Sequence, residues 1–152
     1  MLSRLILLIA LFVTPLASAS DIFMIARAKV NDSTLTSVVF FNSHEITTLK
    51  ECETERRYGS RNNWRVFTHV LNTGGVSYGT QYRCATSPQK VSKWFDTDPY
   101  TRKYLVRYDQ NKNMTVTPYD SIADCRRQVM KEQDEENINL FCASSNQDLI
   151  KS

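Results

Sequence analysis

The sequence has little glycine and little histidine, and each shortage excludes a class of site. Only four of the 152 residues are glycine, and they do not form the array of a phosphate-binding loop. The two histidines, His44 and His69, are too few for a His-rich metal site, and the residues after His44 do not complete an H-E-x-x-H zinc motif. We therefore predict no cofactor and no metal. The sequence argues against an enzyme, although a small hydrolase with unassigned residues stays open.

The chain also lacks a strong excess of charge of either sign. It has 19 basic and 16 acidic side chains, and one of the basic ones, Arg4, belongs to an N-terminal segment that we expect to be removed. The remainder is too close to neutral to indicate nucleic acid or a membrane surface as the partner.

Long apolar runs are missing too, and the longest one lies at the N-terminus. Residues 1–19 predict an export signal, because Arg4 precedes the apolar run 5–13 and Ala17-Ser18-Ala19 fits a cleavage site. The run is too short for a membrane span, which disfavours the alternative of an uncleaved anchor. We expect the mature chain to begin at Ser20, to have no stable membrane span and to be periplasmic or secreted.

Four cysteines are present, in two short segments of similar pattern. Residues 48–52 and 121–125 each begin with a hydroxyl residue, carry an acid three residues on and end in cysteine, as at a capped helix start. Two strand-like segments end in the similar sequences 84–87, Cys-Ala-Thr-Ser, and 142–145, Cys-Ala-Ser-Ser. No C-x-x-C pair supports a zinc site, and disulfides are the default in an exported protein.

This pattern predicts one small unit written twice, with coincidence as the alternative. Period-two alternation puts Cys84 and Cys142 on the more apolar face of their strands, toward a packed helix. The simplest disulfides are then Cys52–Cys84 and Cys125–Cys142, which close each unit on itself. The rival pairing joins the two helices and the two strands across the units.

The predicted elements give an α+β fold of antiparallel sheet(s) with two helices on one face, in tandem ββαβ(β) units each stapled by a disulfide. The first unit, residues 20–87, is expected to be ββαββ, and the second, residues 103–146, ββαβ. Residues 88–102 form a linker whose aromatic residues predict that it packs against the fold. We expect the tail 147–152 to be loose. The predicted strands are 22–30, 35–41, 64–71, 76–85, 103–109, 114–119 and 138–143, and the predicted helices are 48–58 and 122–133.

The densest candidate for a binding site is the stretch 56–65, in which basic and aromatic side chains interleave. Such a surface suits an anionic polymer or an acidic protein patch. The alternative is that the arginines stabilise a helix C-terminus while the tryptophan packs in the core. The candidate binding residues are Arg56, Arg57, Tyr58, Arg61, Trp64 and Arg65.

The resulting hypothesis is an exported, non-enzymatic binding module for a protein or an anionic polymer of the envelope or extracellular space. A structural or assembly role is the alternative, with copies pairing through opposite charge or exposed strand edges. Residues 50–110 carry 11 basic and 6 acidic side chains, whereas residues 111–152 carry 5 and 7. A basic face of one copy could therefore meet the acidic segment 132–136 of another, which makes a homo-oligomer possible.

Overall fold

The computed structural model describes residues 20–30, 33–61, 78–132 and 138–150, with only the backbone described at positions 60, 61 and 78. The predicted strand 64–71 lies outside these ranges. The described elements are, in chain order, β1 Asp21–Val30, β2 Thr36–Phe41, α1 Leu49–Arg61, β3 Tyr78–Ser87, β4 Lys90–Val91, β5 Arg102–Asp109, β6 Met114–Tyr119, α2 Ile122–Glu132, β7 Ile138–Ser145 and β8 Leu149–Ile150.

Six strands form one sheet in the order β3-β1-β2-β7-β5-β6, and β4 and β8 form a second, two-stranded sheet. All pairings within the six-stranded sheet are antiparallel except β2 with β7, which run parallel and are matched at Ser37 and Ser144. The predicted α+β class, with mainly antiparallel strands and two helices, is confirmed.

The six-stranded sheet curls until its two outer strands meet. The backbone N–H of Thr86, near the end of β3, donates to the carbonyl of Lys112 just before β6, over 2.8 Å. Beyond it the side chain of Gln89 replaces a strand, since its amide nitrogen donates to the carbonyl of Val116 (2.9 Å) and its oxygen accepts from the N–H of the same residue (2.7 Å). The sheet therefore has an inner face and an outer face.

The described elements of the two units follow the same order around their disulfides. In each, a hairpin is followed by a helix and then by a strand that pairs with the first strand of the hairpin. Disulfides join Cys52 to Cys84 and Cys125 to Cys142, both with Cα atoms 6.0 Å apart, so the predicted pairing is confirmed. We call two residues equivalent when they coincide once the disulfides and strand registers of the two units are matched.

The largest hydrophobic cluster lies on the inner face. It combines residues of both units, including Phe23, Val38, Val106 and Phe141. The predicted packing of a helix against the cysteine-bearing face of its strand accounts only for a smaller cluster, and the larger part of the core lies on the opposite face. Because the sheet curls, both of its faces are buried, and β1 accordingly has a continuous run of four buried residues, 23–26. Smaller clusters lie on the outer face, one of them around the Cys52–Cys84 disulfide.

Both helices begin as their capping patterns predict. The Thr48 hydroxyl accepts from the N–H of Glu51 (3.2 Å), and the Glu51 carboxylate accepts from the N–H of Thr48 (3.0 Å). At α2 the Ser121 hydroxyl accepts from the N–H of Asp124 (3.0 Å). Among the residues that the structure describes, no helix has the length and apolar character needed to cross a membrane.

The predicted linker packs against the fold, as expected. Trp94 meets Phe41 edge to face with ring centroids 5.3 Å apart, and its indole N–H donates to the Tyr100 hydroxyl (3.0 Å). The expectation of a loose tail was wrong for residues 147–150. Gln147 is 1% exposed, because its side chain supplies the hydrogen bonds that Phe40 lacks beside β7, and β8 pairs with β4.

Candidate functional site

Two arginines and two aromatic rings meet on the inner face, toward the end of the sheet away from β4 and β8. The guanidinium carbon of Arg27, on β1, lies 4.3 Å from the ring centroid of Phe141 on β7. That of Arg83, on β3, lies 5.0 Å from the ring centroid of Tyr108 on β5. We call these four residues the arginine–aromatic cleft. Both contacts are cation–π interactions, which position each guanidinium.

Each of these contacts joins the two units. Matching the disulfides and registers makes Arg27 equivalent to Tyr108 and Arg83 equivalent to Phe141. The first unit thus supplies both cations and the second unit both rings. The cleft lies where β1 and β3 of the first unit meet β7 and β5 of the second, and an equivalent arrangement of side chains would have placed one cation and one ring in each unit.

The cleft has uncompensated positive charge among the described residues. Burial lowers the pKa of the half-buried Arg27 guanidinium, Tyr108 opposes this shift, and the charge of Arg83 adds to it. The Nε atom of Arg27 is buried with no hydrogen-bond partner. Burial raises the pKa of the Tyr108 hydroxyl, and Arg83 and Arg27 both oppose that rise. Within the described part of the chain, neither arginine forms an ion pair with a carboxylate.

Two spaces that share lining residues open at the cleft. A small cavity of ≈ 50 Å³ lies between the two arginines and is also lined by Gln81 and Asn139. A larger groove of ≈ 440 Å³ shares Gln81, Arg83 and Tyr108 with it and extends toward α1 and the turn between β5 and β6. The groove and the cavity are therefore adjacent.

The outer wall of the groove is a fixed group of charged side chains. The Glu53 carboxylate on α1 accepts from Nε of Arg56 (2.7 Å) and from Nζ of Lys112 (2.9 Å). Burial alone would raise the pKa of Glu53, but these hydrogen bonds from Lys112 and Arg56 hold it below its ordinary value. Lys112 has a φ of 64° in the turn after β5. The group joins the helix of the first unit to the turn of the second.

The structure brings one of the six predicted binding residues into the groove, and that residue is Arg56. Arg57 and Tyr58 are exposed on α1 and are not among the residues that line the groove. The side chain of Arg61 and the whole of Trp64 and Arg65 lie outside the described residues. Binding by these six residues stays a prediction.

Sequence reasoning missed the four residues of the cleft. One available signal was Arg27, which interrupts an apolar run on the same face of β1 as Phe23 and Ile25. Such a charge in a buried strand is expensive unless it is paired or used. Arg83 shares the inner face of β3 with Ala85, since it stands opposite Ile25 in the strand register. The alternation along β3 predicts only that residue 83 is polar.

Histidine and metal chemistry find no supporting arrangement in the described ranges. His44 is exposed in the loop before α1, and His69 falls in the undescribed segment 62–77. Across the described residues, no three His, Cys, Asp or Glu side chains converge so that they could hold a metal ion.

No protein-family model, no curated protein and no solved structure matches this chain.

Proposed function

We propose that this chain is an exported, non-enzymatic binding module that captures an anionic group of an envelope or extracellular partner, either a protein or an anionic polymer. The observation that supports this most is the pair Arg27 and Arg83, two cations in one cleft with no carboxylate partner among the described residues. A cleft of one charge sign attracts ligands of the opposite sign, and its low-dielectric walls strengthen that attraction.

Export is supported by the two disulfides together with the N-terminal segment. Structural disulfides persist in oxidising compartments such as the periplasm and the extracellular space. Residues 1–19 have the charge, apolar run and small residues of an export signal. Both features support a periplasmic or secreted location.

The groove has the size of a binding site rather than of a packing defect. Its volume of ≈ 440 Å³ lies within the range of roughly 300–1,000 Å³ that ligand pockets occupy. Arg56 and Lys112 on its wall are held in place by Glu53, so little side-chain entropy is lost when a ligand binds. Pre-positioned cations are what recognition of an anionic partner needs.

A first prediction compares two neighbouring arginines of α1. Arg56→Gln should weaken binding to immobilised poly-L-glutamate about tenfold, because it removes one charge-assisted hydrogen bond from the groove. Arg57→Gln is the matched control, since Arg57 is exposed and does not line the groove. Biolayer interferometry on the oxidised chain from Ser20, with dextran sulfate as a competitor, gives both affinities.

Equal losses in the two variants would contradict the groove and favour the exposed helix surface as the binding site. No binding of the wild-type chain to either polymer would contradict the proposal itself. The alternative of self-association is checked in the same samples by sedimentation velocity. A stable dimer that ignores both polymers would favour an assembly role.

We also infer that the two units derive from one duplicated unit. Gln89 and Gln147 support this, because they are equivalent and each pairs its side-chain amide with the backbone of equivalent residues, Val116 and Phe40. The N–H of each glutamine also lies beside an equivalent serine hydroxyl two residues earlier, at 3.2 Å for Ser87 and 3.3 Å for Ser145. Chance agreement of the cysteine segments alone would not bring these contacts with it.

A further inference from the structure

We propose that the small cavity between Arg27 and Arg83 is a carboxylate-binding site, in which one carboxylate of the ligand lies between the two guanidinium groups while the groove holds the rest of the ligand. The second half of this statement rests on the proposed function. The first half does not, since it concerns one small anion and four side chains.

Both guanidinium groups are positioned by an aromatic ring, and Arg27 has a donor without a partner. A guanidinium over an aromatic ring keeps its N–H donors around its edge, where a carboxylate can accept two of them. Arg27 shows the lack of an acceptor directly, because its Nε is buried with no hydrogen-bond partner. A buried donor without a partner destabilises the fold, so a carboxylate oxygen that reaches this donor would stabilise the folded chain.

The size of the cavity matches a small anionic group. A cavity needs about 10–15 Å³ to hold one water molecule, so ≈ 50 Å³ has room for a few waters or for one carboxylate, but not for a sugar ring or an aromatic acid. The adjacent groove then receives the part of the ligand that carries the carboxylate. This division favours a carboxylate on a flexible arm, as in an acidic peptide.

Two amide side chains complete the wall of the cavity. Gln81 and Asn139 are equivalent residues on β3 and β7, and each stands opposite a cleft residue in the strand register, Arg27 and Tyr108 respectively. Amides carry donors for an anion and add no charge. Neutral donors beside two cations suit a single negative charge.

The test is a titration of the oxidised chain from Ser20 with sodium acetate against sodium chloride at constant ionic strength. Acetate should raise the melting temperature with saturation, and chloride should not. Arg83→Gln should weaken the apparent acetate affinity at least tenfold, whereas Arg127→Gln, at an exposed arginine of α2 that lines neither the cavity nor the groove, should leave it unchanged. Arg83 is exposed, so its replacement should not impair folding. Nitrogen-15 NMR of arginine Nε–H signals gives a second readout, in which the Arg27 signal should move with acetate.

Several outcomes would overturn the site. They are an unsaturable effect shared by chloride, an unchanged affinity in Arg83→Gln, and sulfate binding more tightly than acetate, which would contradict a carboxylate in particular. The acetate titration and the poly-L-glutamate binding assay separate this inference from the proposed function. Capture by poly-L-glutamate without acetate binding would remove the cavity site alone, and acetate binding without polymer capture would remove the proposed function alone.

Discussion

Replacing Gln147 by alanine should lower the free energy of unfolding by about 3–5 kcal/mol, because it leaves several buried backbone groups without partners. The side chain of Gln147 accepts from the N–H of Phe40 (2.7 Å) and donates to the carbonyls of Phe40 (2.9 Å) and Ser92 (2.8 Å). Gln147 is 1% exposed and Phe40 2%, so water does not readily replace the lost bonds. Urea unfolding followed by circular dichroism measures the loss.

The matched control is Gln89→Ala, at the equivalent position of the first unit. Gln89 makes the same pair of hydrogen bonds with Val116, but it is only partly buried. Water can replace its amide there, and we expect a loss of about 1 kcal/mol. Equal losses in both variants would show that the burial of Gln147 does not determine the loss in free energy of unfolding. A loss below about 1 kcal/mol in Gln147→Ala would contradict the stabilising role of the Gln147 hydrogen bonds.

Replacing Gln147 by glutamate should make the stability of the chain depend on pH. A carboxylate can accept from the N–H of Phe40 but has no proton for the carbonyls of Phe40 and Ser92, so Gln147→Glu should fold with the glutamate protonated and its pKa raised above about 4.3. A raised pKa in the folded state means that the variant approaches wild-type stability below that pH and loses stability as the pH rises. A deficit that does not depend on pH between 4 and 7 would contradict this.

The features that could be predicted from sequence are those with local causes. A hydroxyl residue followed by an acid three residues later predicts a capped helix start, and both Thr48 and Ser121 cap as expected. Alternation placed Cys84 and Cys142 on the helix-facing side, which favoured the pairing within each unit that the structure has, although the sequence left the pairing across the units open. These patterns lie within a few residues, and tertiary packing had little opportunity to override them.

The features that were missed depend on contacts between distant segments. Nothing local to Gln147 shows that it lies beside Phe40, which is 107 residues away in the sequence. The cleft likewise requires the curled sheet, since Arg27 meets Phe141 only when strands of the two units face each other. Alternation along a strand shows which residues share a face of the sheet. It does not distinguish a curled sheet from a flat one.

Removing both disulfides should leave the chain largely unfolded at 37 °C. The bridges close loops of 32 and 17 residues of sequence separation, and the chain-entropy relation gives about 3–4 kcal/mol for each, slightly more for the longer loop. The sum of about 7 kcal/mol is comparable to the whole net stability of a small protein, about 5–15 kcal/mol. Removal of one bridge should leave a folded but weaker chain.

The measurement compares three variants by urea unfolding, namely Cys52→Ala with Cys84→Ala, Cys125→Ala with Cys142→Ala, and all four changes together. Cys52 and Cys125 are fully buried, so alanine is preferred to serine, which would bury an unsatisfied hydroxyl. Because the Sγ atoms of Cys52 and Cys125 lie at equivalent places, 3.7 Å from the carbonyl oxygen of Phe23 and 3.5 Å from that of Tyr104, cavity effects should be similar and the difference should follow loop length. If the variant with all four changes has a free energy of unfolding within about 2 kcal/mol of wild type, the shared sheet alone holds the two units together. That result would contradict the stabilising role of both bridges.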